Sequence, residues 1–378
     1  MTCACGGTAS FRRAAPKHLV STVGAMSVAR RYYACRSCGR TYTPWDDWAG
    51  VGAIRVTDHA RRVIVTVATA WSFDRAAAKL AEVCAMKLSD DTIERVCQDE
   101  GERARKWLRG GGGGGGNELV EAFTKAAGEP EFYSDGLTVN TTGGWREMRL
   151  NLLQKRRRAA PVTPARWKDR VLPEPTVRLA SCAIADSRLT GAMWAQWSGR
   201  MGLDDSTDLS VLGDGAAWIW EQARLRLSPD AQWCVDVYHV SEHLHACAKA
   251  MFGEGPAAAA ARSWAEDRLT ELIELAGPRF LRRLDERIAS CPDPGHAGAM
   301  AALRTYLAGN RDRMWYARRL AEGKAIGSGA IEGACKKIGA RLKLNSARWR
   351  VRRAERFGAL LCLEYTDQTA GYWRSRAA

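Results

Sequence analysis

The chain has 378 residues, of which 46% are hydrophobic, and a formal net charge of +15 from 57 Lys+Arg against 42 Asp+Glu. That length calls for two or three structural units, and the basic balance fits a polyanionic partner such as nucleic acid or an anionic membrane. The membrane option finds no support, because no apolar run approaches the roughly 20 residues of a spanning helix. No basic stretch followed by an apolar core opens the chain, so a secretory signal is not expected.

Residues 1–50 hold two close cysteine pairs, Cys3 with Cys5 and Cys35 with Cys38, out of twelve cysteines in the chain. The segment Tyr32-Tyr33-Ala34-Cys35-Arg36-Ser37-Cys38-Gly39-Arg40 reads as a strand, a tight turn and a second strand. Two thiolate pairs held apart by a hairpin suit a tetrahedral structural Zn²⁺. Cys35-x-x-Cys38 has the usual spacing, whereas Cys3-x-Cys5 is tighter; four free thiols are the alternative. The scattered cysteines, such as Cys84, Cys234 and Cys362, read as small buried hydrophobes.

Residues 55–108 read as helical. Ala68 to Val83 carries apolar residues at helical spacing, with Ser72 placed as an N-cap. A break at Met86-Lys87-Leu88 follows, and Ser89-Asp90-Asp91-Thr92 opens another helix with acids in its first turn. Helix, short turn, helix is the pattern of a helix-turn-helix DNA-binding module, and also of an ordinary helical hairpin. Gly110 to Gly116 is a run of seven glycines. Such a run buries nothing, so 109–128 is expected to be a flexible linker separating the N-terminal modules from the rest.

From about residue 130 the pattern turns to strands. Glu131 to Gly136 reads as a short strand ending at Asp135-Gly136, followed by strands at Arg146–Gln154 and Arg178–Ala185. A fourth, Leu209 to Gly213, ends at Asp214-Gly215, and a fifth spans Gln232 to Val237. Residues 251–321 look wholly helical, and a last helix runs from about Ala330 to Lys343. Three strands, a helix, two strands and a closing helix is the order of an RNase H-like sheet, in which the first and fourth strands are neighbours. The expectation is therefore an α/β fold: an RNase H-like core over 129–250 and 322–378, interrupted by an all-helical insertion at 251–321. Asp135 and Asp214 would meet at one edge, each followed by a glycine that turns the chain away.

Ile331, Cys335, Ile338 and Leu342 recur at helical spacing and should pack on the sheet. Glu332 lies about 100° round from Ile331, at the margin of that stripe. Its bland reading is a surface pair with Lys336. Three acids suit phosphodiester chemistry, because two hard divalent ions, Mg²⁺ or Mn²⁺, serve both ends of an in-line displacement at phosphorus. Spacing alone does not single these three out among 42 acidic residues; strand-end placement adds to it.

The stretches FYSDGLTVNTTGGWREMRL, VLGDGAAWIW, DVYHVSEHL, NRDRMWY and GSGAIEGACKKIGARLK, with ARW downstream, resemble the DDE-type transposases of the bacterial ISKra insertion-sequence family. The resemblance runs in order over roughly residues 1–375. It implies that Asp135, Asp214 and Glu332 are the catalytic, metal-binding triad. The glycine tract and the segment KLNSARWR depart from the family pattern. The resemblance includes Asp236 and His239 as supporting residues that position the DNA end or the active site. His243, four residues after His239, makes a zinc-like spacing, but packing is the stronger reading there.

Two basic clusters invite phosphate contacts: Lys155, Arg156, Arg157 and Arg158, and then Lys336, Arg341, Lys343, Arg348, Arg350, Arg352 and Arg353. Trp349 sits among the second and is placed either for base stacking or as a core anchor. The implied function is binding of an element's terminal inverted repeats in double-stranded DNA, cleavage that frees 3′-hydroxyls, and joining to target DNA. A homodimer or larger synaptic complex and a cytoplasmic, nucleoid-associated location go with it. A structure-selective nuclease on the same core, or a DNA-binding regulator without catalysis, are the alternatives.

Overall fold

The computed structural model describes residues 1–51, 54–110, 115–253 and 258–377. Strands β1 (Ala9–Ser21), β2 (Gly24–Cys35) and β3 (Thr41–Tyr42) form an antiparallel sheet in that order. The β1–β2 hairpin is long and turns through Thr22-Val23 into Gly24, whose φ of +102° suits glycine. Along β1 the side chains alternate: Ala15, Lys17, Leu19 and Ser21 are buried while Ala14, Pro16 and His18 are exposed. The buried Lys17 and its neighbour Arg30 both bond to Asp46 in α1 (Pro44–Trp48), at 2.8 and 2.6 Å.

Three helices follow: α2 (Asp58–Ala70), α3 (Phe73–Cys84) and α4 (Asp90–Arg109). Ser89 caps α4, accepting from the Thr92 amide at 3.3 Å as its sequence position predicts. Ser72 does stand at the N-cap of α3, but it makes no cap bond; its hydroxyl bonds the Asp74 carboxylate instead.

The glycine tract is not simply a spacer. Residues 111–114 lie outside the described residues, but Gly115–Lys125 forms helix α5, with Leu119 and Phe123 buried. One hydrophobic cluster runs from Val56 through the central sheet to Trp373. The expected separation of the helical module from the core is therefore corrected: Trp107, Leu108, Leu119 and Phe123 are buried in the same cluster as the strands.

The central sheet has five strands in the order β6 (Val177–Ala183), β5 (Gly144–Arg156), β4 (Glu129–Thr141), β7 (Ser210–Gly213), β8 (Gln232–Val235). β4, β5 and β6 are antiparallel, while β7 runs parallel to β4 and β8 parallel to β7. β7 is buried throughout, as expected of a parallel strand covered on both faces. β4 does not end at Asp135-Gly136; it continues to Thr141 in register with β5. Gly136 lies inside the strand rather than at a turn, and a Cβ there would meet the exposed Glu147 side chain first. Gly215, with φ of +100°, does turn the chain after Asp214.

Helices α6 (Ser187–Met201) and α7 (Ala217–Arg226) pack together between these strands in sequence, and α8 (Val237–Phe252) leaves directly from β8. The helical insertion is broken rather than continuous. α9 (Ala258–Ala289) kinks at Ala276, whose φ is +61°, next to Pro278. The kink lets Glu271 gather Arg268, Arg283 and Arg287 at 2.8–3.1 Å. α10 (Pro294–Gly309) packs on α8 and α9, and α11 (Tyr316–Ala321) leads back to the core. α12 (Gly329–Leu342) is not the last helix: α13 (Val351–Tyr365) and α14 (Thr369–Ala377) follow. α12 packs on β4 and β5, α13 on β6 and α4, and α14 on α5.

Candidate active site and metal centre

The parallel register pairs Phe132 with Val211 and Tyr133 with Leu212. Two residues further along each chain stand Asp135 and Asp214, so the register carries them to adjacent positions. With strands about 4.8 Å apart, the two carboxylates share one neighbourhood. Burial is the main reason the Asp135 carboxyl is raised above its ordinary value, and the charge of Asp214 adds to it. The Gly136 amide, at 2.6 Å, and His239 pull the other way. Asp214 accepts from the Ala216 amide at 2.9 Å, a local turn that follows from the Asp-Gly sequence.

α12 brings the third acid. Ile331, Ile338 and Leu342 are buried as the helical spacing predicts, and Cys335 packs beside them. The Cys335 thiol bonds Asp135, and burial with that carboxylate pushes it up to about 12. Glu332 lies one turn before Cys335, partly exposed, in the first turn of α12. Its contact with Lys336 is long, at 3.9 Å, and Lys336 is 81% exposed. The oxygens of the three carboxylates do not all lie within 4.8 Å of one another. A groove of about 410 Å³ runs beside them, lined by Gly136, Thr138, Cys335, Lys336 and Lys343.

Asp236 is fully buried and caps α8, accepting from the Tyr238 amide at 2.8 Å. It also accepts the Ser328 hydroxyl, and the Val237 amide donates to Ile326 O at 3.0 Å. Asp236 therefore clamps the loop that starts α12, acting on Glu332 through the helix that carries it. His239 stands near Asp135 and pairs with Glu242 at 3.2 Å.

Sequence reasoning missed Tyr306. It comes from α10, in the helical insertion, and its hydroxyl donates to the Asp214 carbonyl at 3.1 Å. Its ring stacks on His243 with centroids 3.6 Å apart, so His243 packs rather than joining a metal cluster. No local pattern marks Tyr306, because its contact lies 92 residues away in sequence. Ser328 stands at the N-cap of α12 but makes no cap bond, its hydroxyl going to Asp236 instead, and nothing in its local sequence marks that partner.

The four cysteines meet. Sγ of Cys3, Cys5, Cys35 and Cys38 lie within 4.8 Å of one another, with contacts of 3.5–3.7 Å. A tetrahedral zinc with bonds of about 2.3 Å needs sulfur separations of about 3.8 Å. The cluster can hold structural zinc. The Cys3 thiol is lowered to about 6 by the Cys5 amide and then by the Tyr42 hydroxyl, favouring the metal-binding thiolate. Among the described residues this is the one cluster of such geometry.

The basic clusters divide. Arg341 is buried, donates to Ala68 O at 2.9 Å and lies over the Phe73 and Phe357 rings. Burial lowers its pKa to about 10. Trp349 is 6% exposed; its indole donates to Leu342 O at 2.9 Å and it stacks on Phe357. Its backbone pairs with Asn140 and Thr142 at the β4–β5 tip. Lys155 bonds Thr124 O and Ala126 O, and Arg156 bonds Glu131 and Pro173 O. Expected as DNA contacts, these four are each held by protein groups in this structure. Arg157, Lys336, Lys343, Arg348 and Arg350 are exposed. In the helix-turn-helix pattern the second helix would read DNA, yet α4 is largely buried against α13, and of its cations only Arg95, Lys106 and Arg109 are exposed.

No protein-family model matches the chain, and no curated protein matches it.

Proposed function

We propose that this chain is a DDE-type DNA transposase built on an RNase H-like core, as its resemblance to the ISKra family implies. One observation carries the reading. The parallel β4–β7 register sets Asp135 beside Asp214, and α12, which carries Glu332, packs across β4 through a Cys335–Asp135 contact. The sheet order, with the first strand beside the fourth and the antiparallel three on one side, is that of RNase H-like enzymes.

The donor set suits a hard divalent ion. Two neighbouring carboxylates repel unless a cation accompanies them, and oxygen ligands favour Mg²⁺ or Mn²⁺. Asp135, Asp214 and Glu332 would hold two ions. When bound, such a pair activates the attacking oxygen and stabilises the leaving one. The protein's own part is positional. Asp236 and Ser328 fix the start of α12, so Glu332 is held on the side of Asp135 and Asp214. Tyr306 holds the Asp214 turn, and His239 offsets the charge at Asp135. A water attacks first and frees a 3′-hydroxyl; that hydroxyl then attacks target DNA, the leaving oxygen departing in line each time. The zinc-bearing N-terminal module recognises the terminal inverted repeats. Synapsis of two ends calls for a dimer or larger assembly, acting in the cytoplasm at the nucleoid.

Joining of pre-cut element ends to target DNA with Mg²⁺ tests the reading. The parent should join them and Asp135→Asn should not. A variant that joins as well as the parent overturns the triad. A parent that cuts but never joins makes this a nuclease.

A further inference from the structure

The first 45 residues contain no Asp or Glu, but seven Lys and Arg. The structure spends two of these internally: Lys17 and Arg30 are neutralised by Asp46. Arg13 lies over the Tyr32 ring, and Arg40 bonds Tyr42. Arg12, Arg31 and Arg36 are exposed and make no ion pair among the described residues. They cluster at the cysteine end of the β1–β2 ribbon. Arg12 sits at the bulge between Phe11 and Arg13, Arg31 pairs with Ala14, and Arg36 lies inside the Cys35-to-Cys38 knuckle.

The ribbon has one closed face and one open one. Ala15, Lys17, Leu19 and Ser21 are buried, and the Val20 backbone bonds Arg55 and Thr57 near the tip. The other face presents Ala14, Pro16 and His18 from β1 and Ser27, Ala29 and Arg31 from β2, all exposed. Four of these, Ala14, Pro16, Ser27 and Ala29, are short, so a partner can come close to the backbone there. Twelve or thirteen residues per strand give a ribbon roughly 40 Å long. A two-stranded ribbon fits the major groove of duplex DNA.

We infer that the open face of the β1–β2 ribbon is a duplex-DNA interface in which Arg12, Arg31 and Arg36 contact phosphates, with the cysteine cluster fixing their spacing. The inference rests on the reading of the chain as a DNA-acting enzyme. It relocates recognition from α4 and Trp349, which the fold encloses, to the ribbon, which it leaves open.

The test uses the full-length, zinc-loaded chain without Mg²⁺ and a labelled random-sequence duplex, titrated across a range of NaCl. Arg12→Gln/Arg31→Gln/Arg36→Gln should weaken binding about ten-fold or more and flatten the log–log salt slope by about 3, near 0.9 per lost phosphate contact. Arg262→Gln/Arg279→Gln/Arg282→Gln, with the same charge loss on the exposed surface of α9, should leave the slope unchanged. Equal slopes for the ribbon triple and the parent overturn the inference. So does binding of the parent to anionic phospholipid vesicles as tight as its binding to DNA. Asp135→Asn separates the two proposals. If it abolishes joining while the ribbon triple binds DNA normally, the ribbon assignment fails and the transposase reading stands. If it joins normally while the ribbon triple loses DNA, the reverse holds.

Discussion

The Ser328 hydroxyl donates to the carboxylate of Asp236, joining the end of β8 to the start of α12 across 92 residues of sequence. Both groups are buried. The bond ties the start of α12, the helix that carries Glu332, to the end of β8.

Asp236→Asn and Ser328→Ala should each cost about 1.5–3 kcal/mol, the usual range for a hydrogen bond to a buried charged group. Urea titration measures this. Joining activity should fall further than the lost folded fraction accounts for. A variant with parental stability and parental joining would show that the clamp plays no part.

Trp349→Ala should destabilise by about 3–5 kcal/mol, as for a large buried aromatic. Arg348→Gln and Arg350→Gln, exposed on either side of it, should leave stability unchanged. Chemical denaturation of the three variants distinguishes the anchor from a base-stacking residue, whose removal would lower DNA affinity and spare the fold.

Glu271 gives the insertion an acid-sensitive point. Burial alone would raise its carboxyl, but hydrogen bonds from Arg287 and Arg283 hold it below the ordinary value of 4.5. Its contribution is then complete above 4.5 and is lost as pH falls through the lowered folded value. Thermal melts from pH 6 down to about 3 should show this loss in the parent. In Glu271→Gln the loss should be smaller, because only the other ion-paired carboxylates then contribute to it, and the melting temperature should already be lower at pH 6. Parallel pH profiles in the two proteins would contradict the assignment.

Chelation, or Cys38→Ser, should remove a single zinc and release the ribbon without melting the rest. Cys3, Ala9 and Cys35 form their own small buried cluster, separate from the main one. That cluster is too small to hold a sheet by itself. Amide exchange should speed up across β1 and β2 and stay slow in β4 and β5.

The strand order was legible because β7 and β8 are short apolar runs bounded by turn residues, as parallel strands read, and the first half of β4 carries a similar run before Asp135. The carboxylates at the β4 and β7 positions followed from it. The stripe on α12 was legible from its spacing, and so was the start of α4 at Ser89-Asp90. What escaped was whatever depends on distant partners. Arg348 to Arg353 reads as a phosphate-binding stretch, yet Arg353 pairs with Glu94 and, just beyond it, Arg356 with Glu102, more than 250 residues away. Those pairs let the segment become α13 against α4. Arg341 misled for a similar reason: two aromatic rings and a carbonyl accept a cation that sequence alone assigns to solvent. Asp135-Gly136 misled differently, since a glycine inside a continuing strand looks the same in sequence as one at a turn.

The cluster that runs from Val56 to Trp373 has a consequence for synthesis on the ribosome. α4 finishes its apolar contacts only when α13 arrives, and Glu100 in α4 is enclosed by Arg61, Tyr372 and Arg376. The early helices must therefore wait, incompletely covered, until nearly the whole message has been read. A chain stopped after the glycine tract would expose α4 and be a substrate for chaperones and proteases. Under the proposed function, a shortened product would in this way be barred from persisting as a competitor for DNA.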